Sequence, residues 1–172
     1  MNIIIRQELK EDHARIKEIN DQAFKQEDES RLVNKLRKKN QFIPELSLVA
    51  ETGGTVVGHI LFYPVKINSA NQKHITLSLG PMSVLPDYQK KGIGGKLFNE
   101  GLKRAKDLGF RSVIVVGHPK YYPKFGFIKA SKWSIKVPFK VPDEVFMALE
   151  IVKNELHDKP GIIEYPAEFV ES

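Results

Sequence analysis

Apolar residues along this 172-residue chain change their spacing several times, and each change predicts an element. Ile3 to Arg6 reads as a first strand. Ala14, Ile16, Ile19 and Ala23 then recur near helical spacing, which predicts a helix from Glu11 to Phe24. A polar, acidic connector, Lys25 to Ser30, leads to a second helix with Leu32, Val33 and Leu36 on one side. Leu46 to Ala50 and Thr55 to Tyr63 flank Gly53-Gly54, a hairpin signal. After a turn at Ala70-Asn71, His74 to Leu79 continues the sheet. Proline cannot donate to a strand ladder, so Gly80-Pro81 predicts a bulge before Met82 to Leu85.

A third helix is expected from about Gly94 to Leu108, burying Leu97, Phe98, Leu102, Ala105 and Leu108 and stopping at Gly109. Arg111 to Val116 is β-branched and apolar, as a central strand would be. Pro119 suits the first turn of a short helix carrying Tyr121 and Tyr122, and Phe127 to Val137 returns to the sheet. The tail from Val141, with Pro142, Pro160 and Pro166, is expected to lie against the domain in short pieces. The resulting class is α+β with one crossover helix. A single domain over residues 1–172 is predicted, with 141–172 as a C-terminal extension packed on it.

Composition narrows the function. The chain has no cysteine, which removes disulfides, thiolate metal sites and a cysteine nucleophile. No metal site is expected. Its first residues do not form a signal peptide, and no apolar run approaches the roughly 20 residues of a membrane helix. A soluble cytoplasmic protein, monomer or homodimer, is therefore expected. The net charge of +6 is unevenly spread: residues 87–140 hold 13 Lys or Arg against 3 Asp or Glu, whereas residues 141–172 hold 2 against 8. Such a basic segment suits a phosphorylated ligand or nucleic acid, although the aromatic interleaving of single-strand binders is missing.

Within that segment, Gln89, Gly92 and Gly94 are spaced Q-x-x-G-x-G where a strand passes through a turn into a helix. Glycines there let backbone approach a ligand, and the unpaired amides of a first helical turn point at an anion. A Walker loop would need Gly at 90 and Ser or Thr at 97, where Lys90 and Leu97 stand. The dinucleotide fingerprint would also need Gly at 97.

The remaining pattern resembles the pyrophosphate loop of the GNAT superfamily of N-acetyltransferases. Met82-Ser83-Val84-Leu85-Pro86 resembles the strand before that loop, and Tyr122-Pro123-Lys124-Phe125-Gly126-Phe127 the family's downstream Y-x-x-x-G-F. Leu79-Gly80-Pro81, the Tyr121-Tyr122 pair and Val141 to Leu149 are similar to a bacterial branch of uncharacterised predicted acetyltransferases. The resemblance implies a mixed, largely antiparallel sheet with helices on both faces and a splayed pair of central strands. It also implies acetyl transfer from acetyl-CoA, the co-substrate, to a primary amine of a small molecule, peptide or protein, directly within a ternary complex. On that reading Met82, Ser83, Val84, Gln89, Lys90, Lys91, Gly92, Ile93, Gly94 and Gly95 bind CoA, and Tyr122 supports the departing thiolate.

Many relatives carry a glutamate on the strand corresponding to residues 74–85, and His74 to Pro86 contains no carboxylate. Glu29, with Glu27 and Asp28, is the candidate base or amine binder; His118 is a weaker one, and His59 and His74 read as structural. Trp133, Phe62 and Tyr63 are candidates for an acceptor pocket or for core. Two alternatives stay open: a CoA-responsive binding module without turnover, and a basic nucleic-acid-binding protein.

Overall fold

The hairpin at Gly53-Gly54 forms as its sequence predicts, with φ of +56° and +77° at the two glycines. In the computed structural model of the chain, which describes residues 1–169, it joins β2 (Ser47–Thr52) to β3 (Thr55–Ser69). Ahead of it lie β1 (Ile4–Gln7), α1 (His13–Phe24) and α2 (Asp28–Arg37). After it come β4 (Gln72–Val84), α3 (Ile93–Asp107), β5 (Ser112–Val116), β6 (Ile128–Lys129), β7 (Ile135–Lys136), β8 (Phe146–Glu150) and β9 (Gly161–Glu164). The hydrogen-bonded order is β1-β2-β3-β4-β5-β8-β6, with β9 on β3 and β7 on β9. The fold is a mixed α+β one with a mostly antiparallel sheet; β4–β5 and β7–β9 are its parallel pairs.

Two expectations change. Strand β4 continues through Gly80-Pro81 to Val84, so the proline does not interrupt it. Leu108 lies past the end of α3 and is 45% exposed, because Gly109, at φ +92°, has already turned the chain. The tail forms short elements, and one of them, Phe146–Glu150, pairs along all of β5, from Ser112↔Glu150 to Val116↔Phe146. On its other edge β5 meets β4 only at Leu77↔Val113 and Ser78↔Ile114, so the ladder of the splayed central pair is two residue pairs long.

Two compact units share the chain. The first comprises residues 1–63 and 80–105. Its core takes Ile16 and Ile19 from α1, Val33 and Leu36 from α2, Val57, Ile60 and Leu61 from β3, and Ile93, Leu97, Phe98 and Ala105 from α3. Helix α3 sits directly on the backbone of β3 at Gly58. A Cβ there would lie 3.1 Å from Leu97 Cδ1, 3.2 Å from the Ser83 carbonyl oxygen and 3.4 Å from Ile93 Cγ2. The second unit comprises residues 64–79 and 106–169. Inside it the buried hydroxyls of Thr76 and Ser112 bond at 2.7 Å.

A buried charge organises the first unit. Glu8 accepts from Arg37 Nε and Nη2 at 2.8 and 3.0 Å, stands 2.9 Å from His13 Nε2, and accepts from the Ser47 hydroxyl. Because Ser47 donates to Glu8, its oxygen accepts from His59 Nε2 at 3.0 Å. That order makes the buried His59 the Nε2–H tautomer and leaves Nδ1 unpaired among the described residues. Burial would raise the Glu8 carboxyl, but His59, Arg37 and Ser47 around it together hold it well below the usual carboxylate range. Burial also lowers His59, outweighing the pull of Glu8.

Both shifts link stability to pH. A depressed histidine takes up its proton in the unfolded chain first, so its contribution is full above about 6.5 and falls below it; the Glu8 contribution falls below about 4.5. His59→Gln, which keeps an N–H for Ser47, should flatten the stability curve between pH 7 and 5 by up to about 1.4 kcal/mol per pH unit. Denaturant unfolding of both proteins across that range checks this, and parallel curves would contradict it.

Candidate functional site

The turn before α3 is held by its own chain. Leu85 N–H donates to the Val57 carbonyl at 2.9 Å, and residues 86–88 form a single 3-10 turn. The Gln89 side chain reaches back and donates from Nε2 to the Val84 carbonyl at 2.9 Å, which satisfies the last acceptor of β4. Lys90 and Gly92 then take positive φ, +63° and +81°. No atom would meet a Cβ at Gly92, so the requirement for glycine there is conformational rather than spatial.

The first helical bond of α3 runs from Lys96 N–H to the Gly92 carbonyl at 3.2 Å. Consequently the amides of residues 90–95 have no backbone acceptor within the described protein. Lys90, Lys91 and Gly92 are exposed, and Gly94 and Gly95 half-buried. Ile93 is 1% exposed, so its side chain anchors the turn in the core and only its amide can meet a ligand. Six unpaired amides at the positive end of a fifteen-residue helix form a cradle for an anion.

The preceding strand divides its side chains. Met82 and Val84 are half-buried, whereas Ser83 points to the other face and donates its hydroxyl to Asn20 Oδ1 at 2.7 Å. Any role of Ser83 toward a ligand therefore belongs to its backbone. Glu29 lies in the first turn of α2, where it accepts the Gln26 side-chain amide at 3.0 Å. Its neighbours are tied to cations: Glu27 to Lys17 and Arg31, and Asp28 to Arg31.

Tyr122 belongs to the second unit. Beyond β5, Gly117 N–H donates to the Val145 carbonyl at 2.9 Å, and Tyr121 and Tyr122 amides turn back to the His118 carbonyl. The short helix begins at Tyr122, with Pro123 rather than Pro119 in its first turn. His118 Nδ1 accepts from Lys120 N–H at 3.1 Å, a turn-capping role. The Tyr122 ring meets Phe127 and Tyr121 edge-on, at 5.7 and 5.1 Å between centroids. Burial, and then the neighbouring Tyr121, push its hydroxyl up to about 12. That hydroxyl makes no hydrogen bond among the described residues.

Gly117, which no sequence motif singles out, seats the Tyr122 ring. A Cβ there would lie 2.3 Å from Tyr122 Cε2 and 2.9 Å from Cδ2, so the ring rests on bare backbone. Phe62 and Tyr63 are fully buried, with Phe62 against Phe98 at 6.1 Å, and belong to the core. Trp133 is half-buried beneath Lys132. Among the described residues no cluster of His, Cys, Asp or Glu could hold a metal ion, and no helix is long and apolar enough to cross a membrane.

Residues 8–127 match the acetyltransferase (GNAT) family. The uncharacterised N-acetyltransferase YjhQ of Escherichia coli K12 is 35% identical over 136 residues, 78% of this chain and 75% of the relative. The crystal structure of the GNAT family N-acetyltransferase YhbS of Escherichia coli in complex with CoA superposes with a TM-score of 0.92 at 25% identity, covering 99% of this chain and 93% of that one. A GNAT family acetyltransferase of Brucella melitensis in complex with acetyl-CoA gives a TM-score of 0.78 at 34% identity, covering 98% of both chains.

The seat of Tyr122 can be tested without substrate. Gly117→Ala must displace the ring, and a ring moved toward water should titrate nearer 10 than 12. The Tyr122 Cζ chemical shift, followed against pH in both proteins, reads this directly; an unchanged midpoint would contradict the packing described.

Proposed function

The chain belongs to the GNAT acetyltransferase family and is an acyl-CoA-dependent N-acyltransferase; from that premise we propose how its residues perform the transfer. The donor is acetyl-CoA, whose pyrophosphate lies on the amides of residues 90–95. The single observation that carries this is the row of six amides without acceptors. Gln89 and Ile93 fix the turn, while Lys90 and Lys91 add flexible positive charge rather than fixed contacts. Two solved relatives hold CoA and acetyl-CoA, which supports the same donor here.

The acceptor is a primary amine that attacks the thioester carbonyl directly, with both substrates bound. The new C–N bond forms as the C–S bond breaks, and the electron pair leaves on sulfur. A lysine-like amine with a pKa of about 10.4 costs about 4.6 kcal/mol to deprotonate at pH 7, so a carboxylate near the incoming amine helps. Glu29 takes that part as amine binder or base, since Glu27 and Asp28 already serve Lys17 and Arg31.

Tyr122 receives the departing sulfur. With its hydroxyl near 12 and a thiol near 8.5, full proton transfer to thiolate would run uphill by roughly 5 kcal/mol. A hydrogen bond to the developing charge has no such barrier, and the hydroxyl has no competing partner. Tyr122 is therefore a hydrogen-bond donor to sulfur rather than a proton donor.

Tyr122→Phe keeps the ring on Gly117 and removes the hydroxyl alone. CoA affinity should hold, while single-turnover acetyl transfer to any accepted amine falls by roughly 10²-fold or more. A normal rate would remove Tyr122 from the mechanism. Firm CoA binding by the wild type without transfer to a broad amine panel would instead leave a CoA-responsive binding module.

A further inference from the structure

We propose that Asn20 is a positioning residue for the acyl group of the donor, acting through Ser83. Of the buried residues of α1, namely Ile16, Ile19 and Asn20, it alone is polar. Its Oδ1 accepts from the Ser83 hydroxyl at 2.7 Å, and Ser83 is itself buried. Its Nδ2 has no partner among the described residues. One hydrogen bond returns less stability than an orphaned buried donor costs, and an aliphatic residue at position 20 would leave no donor orphaned. The pair gains nothing for stability over two apolar residues. What it secures is the place of Ser83.

That place matters because of the amides on either side. Leu85 N–H donates to the Val57 carbonyl of β3 at 2.9 Å. Backbone groups alternate between the two edges of a strand, so those of Val84 and Met82 face away from β3. Gln89 Nε2, 2.9 Å from the Val84 carbonyl, meets it on that outer edge. There β4 pairs with another strand only at Leu77 and Ser78, which leaves the Met82 and Val84 amides to a ligand. The inference rests on the donor reading above: acetyl-CoA with its pyrophosphate on residues 90–95 runs along this edge, and either amide can donate to the thioester carbonyl, where charge develops during transfer. Such donors tolerate little misplacement. The bonds of Leu85 and Gln89 fix the strand after these amides, and the Asn20 bond fixes it between them.

The test compares wild type with Asn20→Leu/Ser83→Ala, which removes both polar partners together, by amide chemical shifts with saturating CoA and with saturating acetyl-CoA. In wild type the Met82 or Val84 amide should move downfield when acetyl-CoA replaces CoA. The variant should lose at least half of that displacement, keep its CoA-induced shifts at Gly92 to Gly95, and melt no lower than wild type. Its single-turnover transfer to an accepted amine, at saturating acetyl-CoA, should fall at least tenfold, whereas Ser83→Thr, which keeps the hydroxyl, should stay within threefold of wild type. Should the double variant not fold, Ser83→Ala alone carries the same expectations for shift and rate. A full displacement in the folded variant would overturn the inference, as would a lower melting temperature with an unchanged rate, the mark of a merely structural bond. If the wild-type amides of residues 92–95 respond to CoA while Met82 and Val84 do not distinguish acetyl-CoA from CoA, this inference falls and the cradle stands. No response at residues 92–95 would overturn the donor reading and the inference with it.

Discussion

Helix α3 can aim its first turn because it lies against β3 at Gly58, with Leu97 and Ile93 in contact with backbone that carries no side chain. The orientation of a helix sets the direction of its unpaired amides, and those amides are short-range donors that tolerate little misplacement. Ile93 therefore has two functions: its buried side chain locks the start of the helix, and its amide belongs to the cradle. The strength of the site comes from backbone and from the field of the helix, worth about half a positive charge at its start. Lysines around it enlarge the capture radius without setting the geometry.

The proposed role of Tyr122 rests on a second backbone approach, that of its ring on Gly117. Packing there removes water from the phenol and raises it to about 12, which suits the hydrogen-bond donor proposed for it. Burial also governs Glu8 and His59, with the opposite outcome. There the ion pair and the hydrogen bonds around it keep Glu8 charged, burial keeps His59 neutral, and a single carboxylate joins residues from α1, α2 and β2. Breaking such a buried pair on one side leaves the other charge uncompensated, so the cluster holds those elements in one arrangement.

Local signals were legible in the sequence. Gly53-Gly54 announced the hairpin, Ala70-Asn71 the next turn, and Q-x-x-G-x-G the strand, turn and helix that carry the cradle. Each of these is decided within a few residues. What was not legible depends on partners distant in the chain. Phe146–Glu150 carries few polar residues and no turn residues, yet its place beside β5 is set by pairing across thirty or more positions. Gly80-Pro81 reads as an interruption because proline lacks a donor, yet the strand continues past it. Gly117, in Val-Val-Gly-His-Pro, reads as a strand end; only the folded chain shows the ring above it. Asn20 and Ser83, and Glu8 and Ser47, likewise meet across spans that no periodicity reveals.

The central claim is that the amides of residues 90–95 hold the donor's pyrophosphate. Amide hydrogen exchange of this segment, measured with and without saturating CoA, tests it most directly. The account predicts that the amides of Gly92 through Gly95 become strongly protected when CoA is bound. CoA binding that leaves their exchange unchanged, while protecting amides elsewhere in the chain, would contradict it.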